Sequence, residues 1–400
     1  MSKQFKKQKK SQNIILPLKI FMTASLLTLV LSGITFAFHE GGAGYCEGCH
    51  VIQSQNNQIQ DIEESTDIGI TNVMLKGSDP SSTCLRCHAE AGKFYNVLSG
   101  DGSMYTPGGD FYWLKRTFIW NADGKFSQSS GASHGHNILA VDYGLNGDST
   151  PHDASIGLDS SVPIGCTSCH DPHQKTGNPG GISAFGSYGD SSPNGAGTGN
   201  YRMLGGIGYT GGTNGNTFKY PAPVAVMNSY NWVETDSNHT AYGSGMSEWC
   251  GNCHNNFLNN GNKHMAENRA KLSSVIVSNY NSYKKTGNTT GTQVTAYLAL
   301  VPFELGTTNK FFLNPSSISG PDPSGKSNVM CLTCHRAHAS AFKHIGRWDF
   351  NTTFIADSHP KPGDDGVTGN DVLNSYYGRN MVAEFGIYQR QLCNKCHSLD

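Results

Sequence analysis

Apolar side chains recur at helical spacing in only two clear places along the 400-residue chain. Leu272, Ile276, Tyr280 and Tyr283 fall on one helical face, and Tyr377, Met381, Phe385 and Tyr388 repeat the pattern near the C-terminus. Thr292 to Leu300 is a third helical candidate, ended near Pro302. Phe111-Tyr112-Trp113 through Trp120 fits either a helix or an extended segment, and strands should be short and sparse. Residues 177–215 are rich in Gly and read as coil, yet Phe185, Tyr188, Tyr201 and Tyr209 punctuate them, which suits a loop laid against a flat apolar surface. The pattern predicts mostly irregular coil with a few short α-helices and very sparse strand.

Composition sharpens this picture. Hydrophobic residues make up 36% and charged residues 15%, below the roughly 45–50% and 25% of ordinary soluble domains. The 48 Gly raise the conformational entropy that folding must overcome, so something besides side-chain burial should organise the fold.

The N-terminus reads as a leader. Lys3, Lys6, Lys7, Lys9, Lys10 and Lys19 precede an uncharged stretch from Ile20 to Phe38 that contains the small-residue site Thr35-Phe36-Ala37, the pattern of a secretory signal peptide over 1–37. An uncleaved anchor is the rival reading, but Thr23, Ser25, Thr28, Ser32 and Gly33 dilute the run. Residues 38–400 then form a single domain with no transmembrane segment. The net charge of −1 becomes more acidic once the leader is removed, so nucleic acid is not an expected partner.

All twelve cysteines belong to one motif type, C-x-x-C-H: Cys46/Cys49/His50, Cys84/Cys87/His88, Cys166/Cys169/His170, Cys250/Cys253/His254, Cys331/Cys334/His335 and Cys393/Cys396/His397. Chance would supply on the order of 0.01 such motifs at this composition. Two thiols at this spacing form thioethers to the two vinyl groups of one haem, and the following His ligates the iron from one side. Disulfides or zinc sites would not require a His after every pair. Six c-type haems are therefore expected, and they should themselves be the core, stacked through the chain. The similar intervals between the middle motifs carry no matching sequence repeat, so a repeat array is not expected.

The second axial ligand separates electron transfer from substrate chemistry, because an iron closed on both faces has no place for a substrate. Ten further histidines are available: His39, His134, His136, His152, His173, His239, His264, His338, His344 and His359. His173 and His338 follow proximal partners by three residues, too close to reach the opposite face of the same haem. Each is expected to ligate a neighbouring haem and to draw two porphyrins together.

At these residues the chain resembles the extracellular hexahaem cytochromes of the OmcS type from metal-reducing bacteria. The resemblance spans essentially the whole chain after the leader. It is clearest in Phe38-His39-Glu40-Gly41-Gly42, Thr106-Pro107-Gly108-Gly109-Asp110 with Trp113, Gly135-His136-Asn137 and Tyr242 to His254, and again in Tyr280 to Lys285, Cys331 to Ser340 and Tyr376 to His397. It implies head-to-tail protomers polymerised into a filament whose haems stack continuously for long-range electron transfer. It also implies His39, His136, His173, His264 and His338 as distal ligands. The sixth distal ligand of the family is a His three residues after the first motif, reaching a haem of the neighbouring protomer, and here that position is Gln53. His134, His152, His239, His344 and His359 are the candidates to replace it, and His344, nine residues after His335, leads them.

Three functions compete on these grounds. The first is an extracellular conduit that partners itself, other cytochromes and external electron acceptors after export through the periplasm. The second is a monomeric shuttle. The third is a multihaem reductase with one open iron, although no C-x-x-C-K motif of the kind expected in a nitrite-type reductase is present.

Overall fold

The short apolar segments of this chain cannot each bury a face alone, and the structure joins them through loops rather than layers. The computed structural model describes residues 46–52, 73–90, 95–122, 124–148, 163–172, 200–210, 217–227, 233–259, 266 and 270–397. Among these, the sheets are four separate antiparallel pairs: β1 (His50–Ile52) with β2 (Val73–Leu75), β3 (Phe118–Ala122) with β4 (Lys125–Ser129), β5 (Leu139–Ala140) with β6 (Leu145–Asn146), and β7 (Val224–Met227) with β8 (Thr240–Ser244). No helix among the described residues is long and apolar enough to cross a membrane.

The expected amphipathic helix forms over Ser274–Ser282, capped by the Ser273 hydroxyl, with Val277 and Tyr280 buried on its inner face. The C-terminal pattern does not make one helix. Only Met381–Phe385 within it is helical, because Tyr377 takes a left-handed φ of 59° and Asn380 starts a new N-cap; a separate short helix, Asp371–Ser375, precedes it. Thr292–Leu300 yields only a 3-10 turn over Gln293–Thr295. The next backbone amides bond outward instead: Tyr297 N–H to the Ile318 carbonyl at 2.9 Å and Ala299 N–H to Asp236 at 2.7 Å. Phe111–Lys115 is a 3-10 helix capped by Asp110, and Phe118 opens β3, so that aromatic run is part helical and part extended.

The main apolar cluster gathers Leu85, Phe111, Trp113, Phe118, Tyr280, Leu300, Trp348 and Leu392, and motif cysteines Cys166, Cys334, Cys393 and Cys396 pack against it. A smaller one holds Tyr201, Leu204, Tyr242, Met246, Met330 and Leu332. Beside them Glu234 is buried between Arg336 and Arg347, at 3.1 and 2.9 Å. Burial alone would raise the Glu234 pKa, but the two guanidinium groups outweigh it and hold the carboxyl below its usual range. Removing one partner of such a group typically costs about 3–5 kcal/mol.

Candidate functional site

The motifs sit on short helical turns whose starts are set by local hydroxyl and carboxylate caps. Asp79 caps the helix Pro80–His88 by accepting from Ser82 N–H at 2.7 Å, with Pro80 in the first turn, and this helix presents Cys84, Cys87 and His88. At the third and fifth motifs the bond runs the other way, from the N-cap amide to a hydroxyl three residues on. The Ser168 hydroxyl accepts from Gly165 N–H at 3.0 Å, and the Thr333 hydroxyl from Met330 N–H at 3.1 Å.

Two pairs of motifs are fastened in the same way. The Ser81 hydroxyl accepts from Cys166 N–H at 3.0 Å, and the Ser247 hydroxyl accepts from Cys331 N–H, also at 3.0 Å. The cysteine side chains that follow are close neighbours in matching pairs, Cys84 beside Cys166 and Cys250 beside Cys331, near enough to shift one another's ionisation. Electrostatic coupling continues the series, from Cys49 to Cys84, from Cys169 to Cys253, and from Cys334 to Cys393 and Cys396. Adjacent motifs in sequence are thus neighbours in space. The cysteines from Cys49 onward are half-buried and form no disulfide among the described residues.

A second repeated device holds the proximal histidines. His170 Nδ1–H donates to the Arg202 carbonyl and His335 Nδ1–H to the His344 carbonyl, each at 2.8 Å. Each acceptor opens a pair of left-handed residues, Arg202-Met203 and His344-Ile345. The second residue's carbonyl takes the next amide, Asp171 N–H or Arg336 N–H. Tyr209 reinforces the first clamp, its hydroxyl donating to the carbonyls of Thr167 and His170 at 2.6 and 2.7 Å. With Nδ1 engaged, Nε2 is the nitrogen left to bind a metal.

The distal candidates His136 and His338 come from one junction. The segment 336–340 runs between 106–110 and 134–136. Gly108 accepts from Ala337 and His338 N–H, the His338 carbonyl accepts from His136 N–H at 3.0 Å, and His136 Nδ1–H donates to the Ala337 carbonyl at 2.8 Å. Two glycines permit this approach. A Cβ on Gly108 would stand 2.9 Å from the His338 ring, and one on Gly109, at φ +100°, would stand 1.9 Å from the Ala339 carbonyl oxygen.

This junction sets two imidazoles opposite proximal ones. The ring centroids of His338 and His170 lie 6.3 Å apart, and those of His136 and His254 lie 6.1 Å apart. An iron bonded to two imidazole nitrogens at about 2 Å each, with each ring centre about 1.1 Å further back, needs a separation of ~6.2 Å. Burial pushes His338 down to about 3 and His254 to about 4, and lowers His170 as well. All three are therefore neutral near pH 7, as a metal ligand must be. The facing residues fit a haem iron.

The remaining histidines divide cleanly. His134 is fully buried with both nitrogens bonded, Nε2 to the Ser129 hydroxyl at 2.7 Å and Nδ1 to the Trp113 carbonyl at 3.0 Å. His239 is engaged by the carbonyls of Thr240 and Ser317 and stacks on Tyr297. Neither is free to ligate. His344, expected as the sixth distal ligand, instead meets His335 from its Nδ1 side through a backbone carbonyl. Its backbone therefore lies on the Nδ1 side of the proximal ring, while its own side chain is exposed. His39, Gln53, His152, His173 and His264 lie outside the described residues.

A fold hung on successive C-x-x-C-H motifs, with neutral imidazoles in facing pairs, defines a multihaem c-type cytochrome. The comparisons with known proteins are specific. The chain is 38% identical to C-type cytochrome OmcS of Geobacter sulfurreducens, over 96% of this chain and 99% of that protein. Two solved structures, the outer membrane cytochrome S filament and the OmcS nanowires of the same organism, align with TM-scores of 0.72 and 0.70 at 36% and 35% identity. Each alignment covers 91% of this chain and 100% of the solved one. No protein-family model matches. The chain belongs to the OmcS family of c-type cytochromes.

Proposed function

We propose that this chain conducts electrons outside the cell through six covalently attached haems, as a filament of identical head-to-tail protomers. The observation that carries the reading is the facing of His170 by His338 and of His254 by His136 at iron-spanning distance. When bound, each haem supplies one-electron ferric/ferrous chemistry. The chain does the rest. Its twelve motif cysteines attach the groups, and His50, His88, His170, His254, His335 and His397 ligate from the proximal side. His136 and His338 close two of the irons, while His39, His173 and His264 serve others from outside the described residues.

Closing both faces removes the position at which a substrate would bind, which favours electron transfer over reduction chemistry. The succession of neighbouring cysteines from motif one to motif six supports a single path through the protomer. The buried Nη2 atoms of Arg336 and Arg347 have no hydrogen-bond partner, and haem propionates are anions of the kind that would satisfy them. Residues 1–37 act as a signal peptide for export through the periplasm, and 38–400 form one hexahaem domain. The filaments of the relatives carry over as self-association, with other cytochromes and external acceptors as the further partners.

Intact mass and visible spectroscopy of the exported protein test this reading. The expected result is six haems per chain with low-spin spectra. Fewer haems, or a predominance of five-coordinate iron that binds carbon monoxide, would overturn it in favour of a reductase.

A further inference from the structure

One buried carboxyl stands beside the attachment points of two haems and has no part in holding either. Glu304 N–H donates to the Asn328 carbonyl at 3.1 Å, and Asn328 N–H donates to the Glu304 carbonyl at 2.9 Å. The two residues are therefore directly opposite in an antiparallel bridge, with their side chains on one face. Both are buried, Glu304 completely. Glu304 Oε1 accepts from Met246 N–H at 2.8 Å, at the start of the helix Met246–Cys250. In that helix Ser247 holds Cys331 N–H, and the last residue is Cys250. Cys331 acts on the Glu304 carboxyl, and the carboxyl acts on Cys250. Thioether bonds bring a porphyrin edge to each of these sulfurs and leave the iron to histidines.

Glu304 Oε2 and Asn328 Oδ1 are both buried without a hydrogen-bond partner. Ionised, Oε2 is an unpaired buried charge; protonated, it becomes a donor in a place furnished with acceptors. The surroundings favour the proton. Glu248, on the same helix as Met246, opposes ionisation, and burial outweighs the Met246 N–H and the Asn328 amide, so the pKa rises to about 7. Cys331 opposes ionisation as a thiol, and in the loaded protein the haem takes over that position. Tyr242 on β8 meets Glu304 through its backbone, its ring lying in the smaller apolar cluster. Lys271, opposite Asn328, is exposed and Lys326 is half-buried; neither offsets the burial of the carboxyl.

We propose that Glu304 is a redox-linked protonation site for the two haems held at Cys250/Cys253 and Cys331/Cys334. Glu304 Oε2 takes one proton from solvent as one electron passes from a neighbouring haem to a ferric iron of this pair, and releases it when the electron moves on. The added electron cancels a positive charge beside the carboxyl, which favours the neutral acid. The potential of the pair therefore falls as pH rises through the range in which Glu304 titrates. This inference rests on the hexahaem reading and adds proton coupling to it.

The test uses the full haem-loaded chain, after intact mass has counted its haems. A count other than six would overturn the hexahaem reading itself, before any proton is measured. With six attached, reduced-minus-oxidised infrared spectra near pH 7 should show a carboxylic-acid C=O band appearing on reduction. Haem propionates absorb in the same region, and isotopic labelling of the glutamate carboxyls separates them, since only a glutamate band moves. Glu304→Gln keeps the size of the side chain and its Oε1 acceptor. It should lose the band, take up as much as one proton fewer per chain on reduction, and weaken the pH dependence of the haem potentials. A variant with the wild-type band and proton uptake would overturn the proposal. Should the variant not accumulate, labelled wild type decides: a band that moves with the label supports the proposal, and one that stays, or no band, overturns it.

Discussion

An imidazole is ready to bind a metal when one nitrogen is already bonded and the other is left open. His170 and His335 satisfy this through backbone carbonyls, and His136 Nδ1 is held by one as well, whereas His134 and His239 have both nitrogens occupied. The six histidines of the C-x-x-C-H motifs can be read straight off the sequence. The division among the others cannot, because it depends on carbonyls contributed from distant segments such as Trp113 and Ser317. His338→Ala is expected to turn one iron high-spin with all haems still attached, read by electron paramagnetic resonance. A spectrum like wild type would remove His338 from the ligand set. Glu304 gives a separate prediction. It is fully buried and accepts from Met246 N–H at 2.8 Å, and burial raises its pKa from 4.5 to about 7. Between those pH values the folded state keeps a proton that the unfolded state has released, so stability falls as pH rises through that window, by up to ~3 kcal/mol. Glu304→Gln should flatten this dependence and stabilise the protein at pH 8. Denaturant titrations at pH 5 and pH 8 would show it, and an unchanged slope would refute it.

Short elements in this chain act as clamps. The pairing of S-x-x-C-x-x-C-H at Ser81 and Ser247 with C-x-S-C-H or C-x-T-C-H at Cys166 and Cys331 is a local repeat of one device, visible in the sequence once hydroxyl positions are aligned to the cysteines. A search for whole-segment similarity passes over it because the intervening loops share nothing. Likewise, the left-handed pairs Arg202-Met203 and His344-Ile345 announce themselves by no glycine. His344→Gly separates the two roles open to that residue. Gly adopts the observed φ of 60° without the penalty that a side chain carries there. All irons should therefore stay low-spin, with stability equal or higher by about 0.5–1 kcal/mol. A new high-spin signal would restore His344 as a ligand. The C-terminal apolar pattern was legible but not its short extent, since Tyr377 falls outside the helix Met381–Phe385 and packs its ring under Arg336 at 3.5 Å.

At the scale of the molecule, the sparse strands and short helices foreseen from composition follow from a chain that uses its cofactors in place of layers. Cysteines of successive motifs lie side by side, and the imidazoles of His136 and His338 leave one junction toward the histidines of different motifs, so neighbouring motifs are bound into one framework. Removing the haems should therefore collapse the protein as a whole rather than loosen one end. Circular dichroism and proteolysis of the apo chain should show loss of protection throughout. Local loss confined to one motif pair would contradict this.

Cryo-electron microscopy of the haem-loaded protein recovered from the cell exterior tests the central claim most directly. The account predicts filaments of head-to-tail protomers with an unbroken line of haems in motif order, crossing each subunit boundary. Discrete particles, or a haem line interrupted between protomers, would contradict it.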